Sequence, residues 1–172
     1  KSHVSWHQDL TYWGLDSDAQ VSVWLALSDA SEASGCMHMI PGSHKHGQQK
    51  HHNTQDNNNV LLSGQTINDI DPNQSIAASL KAGQASFHHG WTIHCSQPNL
   101  TNDRRIGLNI QYISPAVKQL KQQQDSAMLV RGVDHYGHFQ TDQPAQSNFD
   151  SKAWQKQKAL DDKLKGIQGN TT

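Results

Sequence analysis

Short apolar runs separated by polar turns dominate the first two thirds of the chain. From Val21 to Ser28 the pattern alternates, with Val21, Val23, Leu25 and Leu27 on one face and Ser22, Trp24, Ala26 and Ser28 on the other. That is the period of a half-buried strand. Ile106 to Ile113 alternates in the same way: Ile106, Leu108, Ile110 and Tyr112 share one face, and Arg105, Gly107, Asn109 and Gln111 the other. Cys36 to Ile40 reads as a further short strand, ended by the turn Pro41-Gly42-Ser43. Leu80 to His88 holds the turn Lys81-Ala82-Gly83 and then a strand, and Asn58 to Leu62 is expected to begin another. Residues 44–59 are rich in His, Gln and Asn and read as a mobile surface loop; Gly64 to Gln74 is a second loop. After Pro115 the character changes, with a short polar helix expected over Ala116 to Gln124, an irregular stretch over Ala127 to Phe139, and a Lys- and Gln-rich helix over 151–168 before a frayed end. Many short strands with turn signals between them predict an all-β sandwich or barrel with peripheral helices.

The chain has 172 residues, a length that suits a single domain spanning 1–172, with a β core over 1–115 and a C-terminal extension over 116–172. Basic and acidic residues number 14 and 15, for a net charge of −1. Such a balance gives no electrostatic pull toward nucleic acid or an anionic membrane. No apolar run approaches the ~20 residues of a membrane helix. The first residue is Lys1, followed at once by chemistry-bearing positions, and the chain is read as a fragment whose N-terminal part, with any targeting segment, is missing. Cys36 and Cys95 stand in unrelated contexts, which is no disulfide framework; a reducing, cytoplasmic setting fits.

The 12 histidines are the unusual count. Among them, His7-Gln8-Asp9 is the sharpest feature, because residues two apart in a strand project from the same face. A neutral imidazole and a carboxylate can then reach one metal, and a histidine from a distant strand would complete a facial triad with open positions, as oxygen-activating non-haem iron requires. Taken by itself the triplet also fits a surface strand with a salt-bridging pair.

Further along, Trp91-Thr92-Ile93-His94-Cys95-Ser96-Gln97-Pro98-Asn99 is followed by Arg105. With His7-Gln8-Asp9 and the run Gly35 to His44, this resembles the phytanoyl-CoA dioxygenase family, over Ser5 to about Gly47 and again over Ala82 to Pro115. The resemblance implies a double-stranded β-helix, the cupin-like jelly-roll. It implies an Fe(II)- and 2-oxoglutarate-dependent dioxygenase that uses dioxygen to hydroxylate a small-molecule substrate, releasing succinate and carbon dioxide. By the same resemblance His7, Asp9 and His94 match the iron ligands and Arg105 the partner of the far carboxylate of 2-oxoglutarate, a role that suits the guanidinium fork. Ser96 matches a position beside that cosubstrate, and Trp24 is expected to wall its pocket. In related halogenases a small residue replaces the carboxylate; here Asp9 is present, which favours hydroxylation.

His88 and His89 compete with His94 for the third position, and His94 is preferred because it has the arginine at the family spacing. His38 is read as structural, His44, His46, His51 and His52 as solvated, Arg104 as a surface residue, and Arg131 with Asp134 as an ion pair. The apolar face Ile106, Leu108, Ile110 and Tyr112 is expected to be underprotected in this chain. Two other function classes stay open: a cupin-type metalloenzyme that does not use 2-oxoglutarate, and a non-catalytic jelly-roll that binds a ligand or partner.

Overall fold

The computed structural model describes residues 1–61, 64–121 and 125–169. The elements are mostly short strands, β1 (Val4–His7), β2 (Gln20–Ala26), β3 (Met37–Met39), β4 (Ile76–Ala78), β5 (Ala85–His89), β6 (His94–Ser96), β7 (Gly107–Ile113), β8 (Ser126–Ala127) and β9 (Gln140–Thr141), followed by one helix, α1 (Ser151–Gly169). The chain divides into two compact units, residues 1–11 with 20–112, and residues 12–19 with 113–172.

The first unit carries the chemistry. One of its sheets has the order β1-β6-β3-β4, and β5-β2-β7 forms another. β1 with β6, β3 with β4 and β6, and β2 with β5 pair antiparallel. In the four-stranded sheet His7 lies directly across from His94, and Met39 flanks His94 on the other side. The register shifts between Val4 and His7, so the pairing along β1 is not regular. β5 and β6 belong to different sheets, because the chain turns at Gly90-Trp91 between them. The core side chains of this unit include Leu10, Val23, Ala26, Cys36, Met37, Ile93 and Cys95. Gly35 sits where the chain enters β3 with φ +74, and a Cβ there would lie 2.2 Å from the Gln97 carbonyl, so the close strand approach demands glycine.

Ser22 on β2 and Gln111 on β7 turn toward Asp9, and the alternate positions make the outer face, where Val23 is buried and Val21, Leu25 and Ile110 are half-buried. On that outer face Phe87, Leu27, Leu108, Tyr112 and Ile106 are exposed by 72%, 55%, 48%, 39% and 38%. The underprotected apolar face expected from the sequence is therefore present and extends to β5.

The second unit pairs β8 with β9 in parallel and ends in α1. Over 116–121 the structure corrects the expected short helix. Leu15 bridges Gln119, and backbone bonds run from Asp16 N–H to Lys118 O and from Leu120 N–H to Gly14 O. Extended pairing with residues 14–16 buries Val117 and wins over a weak local helix signal. The Asn58 start of a strand reduces to a bridge between His3 and Asn59 over the described residues, while Leu62 and the residues after Gly169 lie outside them. β4 was not foreseen. Asp134 accepts hydrogen bonds from the backbone N–H groups of Tyr136 and Gly137 in place of the expected pairing with Arg131. Among the described residues no helix is long and apolar enough to cross a membrane.

Candidate metal centre

His7 closes β1 and His94 opens β6, as direct cross-strand partners whose ring centroids lie 4.1 Å apart. Asp9 is not on the strand. It begins a 3-10 turn, Asp9–Tyr12, so the chain bends immediately after His7 and swings the carboxylate back over the imidazoles. The His-x-Asp spacing therefore works through a turn and not through strand parity. Asp9 Oδ1 is 3.4 Å from His7 Nε2 and 3.6 Å from His94 Nε2. One donor atom from each of the three side chains lies within 4.8 Å of the others.

Each imidazole is oriented from behind. His7 Nδ1 is 2.9 Å from the Ser5 carbonyl, and His94 Nδ1 is 3.0 Å from the Thr92 carbonyl. A carbonyl only accepts, so both Nδ1 atoms carry the proton and both Nε2 lone pairs face Asp9. Burial pushes the pKa of His94 down to about 3, with His7 acting in the same direction against Asp9, so this imidazole is neutral at ordinary pH. Burial alone would raise the carboxyl of Asp9; His94, His7 and His88 outweigh it and hold the group well below the usual carboxylate range. A neutral imidazole and an ionised carboxylate are the protonation states a divalent metal needs, and the donor set suits Fe(II).

The second carboxylate oxygen is occupied. Ser22 donates to Asp9 Oδ2 at 2.6 Å, and Gln111 Nε2 donates to the same atom at 3.3 Å. Gln20 Nε2 in turn donates to Ser22 Oγ at 3.1 Å and to Gln111 Oε1. Asp9 is thus held with one oxygen toward the imidazoles and the other locked against β2 and β7. The alternation of β2 and β7 had placed Ser22 and Gln111 on the polar face with Trp24 and Arg105, but had not singled them out.

The competing histidines separate cleanly. His88 lies opposite Ser22 on β5, its Nε2 3.7 Å from Asp9 Oδ2, and its ring meets His94 edge-on at 5.1 Å. It approaches the locked oxygen, away from the point where His7, Asp9 and His94 converge. His89 faces His44, with centroids 5.4 Å apart. His38 pairs across β3 with Ala77 and Cys95. His51, expected to be solvated, instead accepts the Gln8 N–H at 3.1 Å and is partly buried.

Arg105 precedes β7 and lies beside Trp24, with its Cζ 5.3 Å from the indole centroid. Trp24 rests on Gly107: a Cβ at that position would be 2.0 Å from Trp24 Cζ2. Among the described residues Arg105 Nη1 is buried without a hydrogen-bond partner. A buried, unpartnered guanidinium nitrogen is costly unless a ligand supplies an acceptor. Ser96 is buried in β6, two residues beyond His94. Cys36 and Cys95 are buried and free, as expected of small hydrophobes.

Residues 1–107 match the family profile described as Phytanoyl-CoA dioxygenase (PhyH). Among curated relatives, a probable alpha-ketoglutarate-dependent hypophosphite dioxygenase of Stutzerimonas stutzeri is 30% identical over 140 residues, covering 80% of this chain and 46% of the relative. Phytanoyl-CoA dioxygenase 1 of Oryza sativa subsp. japonica is 33% identical over 107 residues, covering 62% of this chain and 37% of its own length. The chain thus spans less than half of each of these relatives. Among solved structures, the non-heme monooxygenase ThoJ in its apo form superposes with a TM-score of 0.83 at 35% identity, over 99% of this chain and 62% of that one. EvdO2 from Micromonospora carbonacea var. aurantiaca, complexed with 2-oxoglutarate, gives 0.58 at 29% identity over 70% and 49%. The antiparallel sheets are those of a jelly-roll, and the chain belongs to the phytanoyl-CoA dioxygenase family.

Proposed function

We propose that this chain carries the catalytic centre of an Fe(II)- and 2-oxoglutarate-dependent dioxygenase that hydroxylates a C–H bond of a small molecule, with release of succinate and carbon dioxide. His7, Asp9 and His94 would hold the iron, and Arg105, Trp24 and Ser96 the cosubstrate. When bound, the iron supplies the activation of dioxygen. The protein's own residues supply orientation. The Ser5 and Thr92 carbonyls fix the imidazole tautomers. Ser22 and Gln111 keep Asp9 Oδ2 engaged so that Oδ1 is the oxygen left for the metal. Arg105 offers its fork to the far carboxylate of 2-oxoglutarate, Trp24 forms the wall behind it, and the Ser96 hydroxyl donates to the same ligand. We take residues 1–115 as the oxygenase core and 116–172 as its extension. The buried free thiols fit a reducing cytoplasm.

The observation that carries the cosubstrate reading is the buried Nη1 of Arg105, without a hydrogen-bond partner among the described residues and set against Trp24, in a chain that also holds a triad of ligand type. In a cupin-type centre that does not use 2-oxoglutarate, a different anionic ligand would have to supply the acceptor. The test is an anaerobic titration of the protein with Fe(II) and then 2-oxoglutarate, followed by visible spectroscopy for the charge-transfer band of a chelated keto acid. The band is expected in the parent chain and absent from His94→Ala. Tight iron binding with no band on adding 2-oxoglutarate would overturn the cosubstrate assignment.

A further inference from the structure

The residue between the two N-terminal triad positions has a role of its own. Gln8 is 0% exposed. Its carboxamide Nε2 donates to the Gly47 carbonyl at 2.9 Å and to the Trp91 carbonyl at 2.8 Å, while Oε1 accepts the Gln49 N–H at 2.7 Å. Its backbone N–H donates to His51 Nε2 at 3.1 Å, and His51 Nδ1 is 3.0 Å from the Gln49 carbonyl. Both amide hydrogens and an oxygen lone pair of one buried side chain are therefore spent on two remote segments: the loop 47–51 and the turn that leads into His94.

The rest of that loop is tied to the same neighbourhood. At its start, Ser43 Oγ accepts the Ile93 N–H at 2.8 Å, one residue before His94. At its end, His52 exchanges backbone bonds with Thr66, and the adjoining Ile67 N–H donates to the Trp6 carbonyl at 2.8 Å, one residue before His7. Three of these anchors, Trp6, Gln8 and Ile93, are chain neighbours of a triad residue. A segment that composition alone marks as a mobile loop is stitched to the centre at its beginning, middle and end.

We propose that Gln8 is a positioning residue that couples the loop Ser43–His52 to the metal centre, so that the bearing of the loop and the geometry of His7, Asp9 and His94 are set together. The inference rests on the reading of these three side chains as metal ligands. Gln8 and His51 are not among the three ligand side chains; they act through the backbone that carries them. A contact made by a substrate with the histidine-bearing loop would be transmitted to the centre by the same bonds.

The full chain is titrated with Co(II), whose visible spectrum reports coordination geometry, as parent, His7→Ala, Gln8→Leu, His51→Ala, His51→Gln and the double variant Gln8→Leu with His51→Ala. Amide exchange over 47–51 is measured in each. The expected result is loss of the parent spectrum in His7→Ala, a shifted spectrum and roughly 10- to 100-fold weaker binding in Gln8→Leu, and about 10-fold weaker binding in His51→Ala, as for other groups that orient ligands. His51→Gln, which still offers an acceptor, restores most of the affinity, and the double variant is no weaker than the sum of a shared link allows. If Gln8→Leu does not fold, His51→Ala and its rescue decide the matter. Faster exchange in the loop with parental Co(II) affinity and spectrum in His51→Ala would overturn the coupling. Undiminished Co(II) binding in His7→Ala would instead overturn the ligand assignment on which it rests.

Discussion

Removing the Arg105 guanidinium is expected to leave the free protein nearly unchanged and to weaken its hold on 2-oxoglutarate. In the free protein Nη1 is buried with no acceptor among the described residues, a situation that costs about 1–3 kcal/mol for a polar group. Against this stands the contact with Trp24 at 5.3 Å, worth about 0.5–1 kcal/mol at a partly exposed site, together with the packing of the side-chain stem. The two nearly cancel, so Arg105→Ala should alter the stability of the free protein by no more than about 1 kcal/mol, or a shift in Tm of about 2–4 °C at this size. Binding is different. Truncating one partner of a buried, hydrogen-bonded charge pair costs about 2–5 kcal/mol. At 1.4 kcal/mol per factor of ten, 2-oxoglutarate should bind roughly 30-fold to several thousand-fold more weakly. Arg105→Lys keeps the charge but not the fork and should fall between. The assay is anaerobic calorimetric titration of the metal-loaded protein with 2-oxoglutarate, beside thermal melts without ligand. Unchanged cosubstrate affinity, or a large loss of Tm in the free protein, would show that Arg105 is a structural cation and refute the reasoning.

Ser22→Ala removes the 2.6 Å donor to Asp9 Oδ2 and should weaken metal binding by roughly 10- to 100-fold, measured by competition against a chelator; parental affinity would dismiss the locked-oxygen account. Gly107→Ala would place a methyl 2.0 Å from Trp24 Cζ2, so the indole must move; a cost of about 1–3 kcal/mol in thermal melts is expected, together with weaker 2-oxoglutarate binding, and a neutral substitution would show that the Trp24 wall is not fixed. Burial pushes the Cys95 thiol up to about 11, and Cys36 is fully enclosed, so at pH 8 neither should be alkylated by iodoacetamide in the folded protein, while both react after unfolding. Mass spectrometry of the intact chain reads this directly, and rapid labelling of the folded state would contradict the burial.

The sequence spells out chemistry more readily than its construction. His7-Gln8-Asp9 stood out because three residues carry the message locally, yet the reason offered, strand parity, is not how it is built: β1 ends at His7 and a turn returns Asp9 to the imidazoles. The alternation in β2 and β7 sorted Ser22, Trp24, Gly107 and Gln111 onto one side correctly because a period of two survives in a regular strand. What it could not tell is that Ser22 and Gln111 converge on one carboxylate oxygen, since that depends on how β2 and β7 meet the 3-10 turn that carries Asp9. The strand Ile76–Ala78 was missed because it is three residues long and mostly exposed, with no alternation to detect. The helix expected near 116 failed because its propensity was weak and pairing with residues 14–16 supplied stronger, non-local bonds. His51 was read as solvated because nothing local marks it as the acceptor for a backbone group 43 residues away.

The grip on Asp9 also defines what would remain without it. Ser22 Oγ and Gln111 Nε2 both donate to Oδ2, and His88 Nε2 stands 3.7 Å from the same atom. Shortening the side chain to glycine would leave a small recess beside His7 and His94, rimmed by hydroxyl, amide and imidazole groups. A recess with that lining would suit a compact anion of halide size. If His7, Asp9 and His94 are the ligands proposed above, the scaffold that tethers this carboxylate already contains donors that could hold chloride in its stead, and a single codon stands between the two.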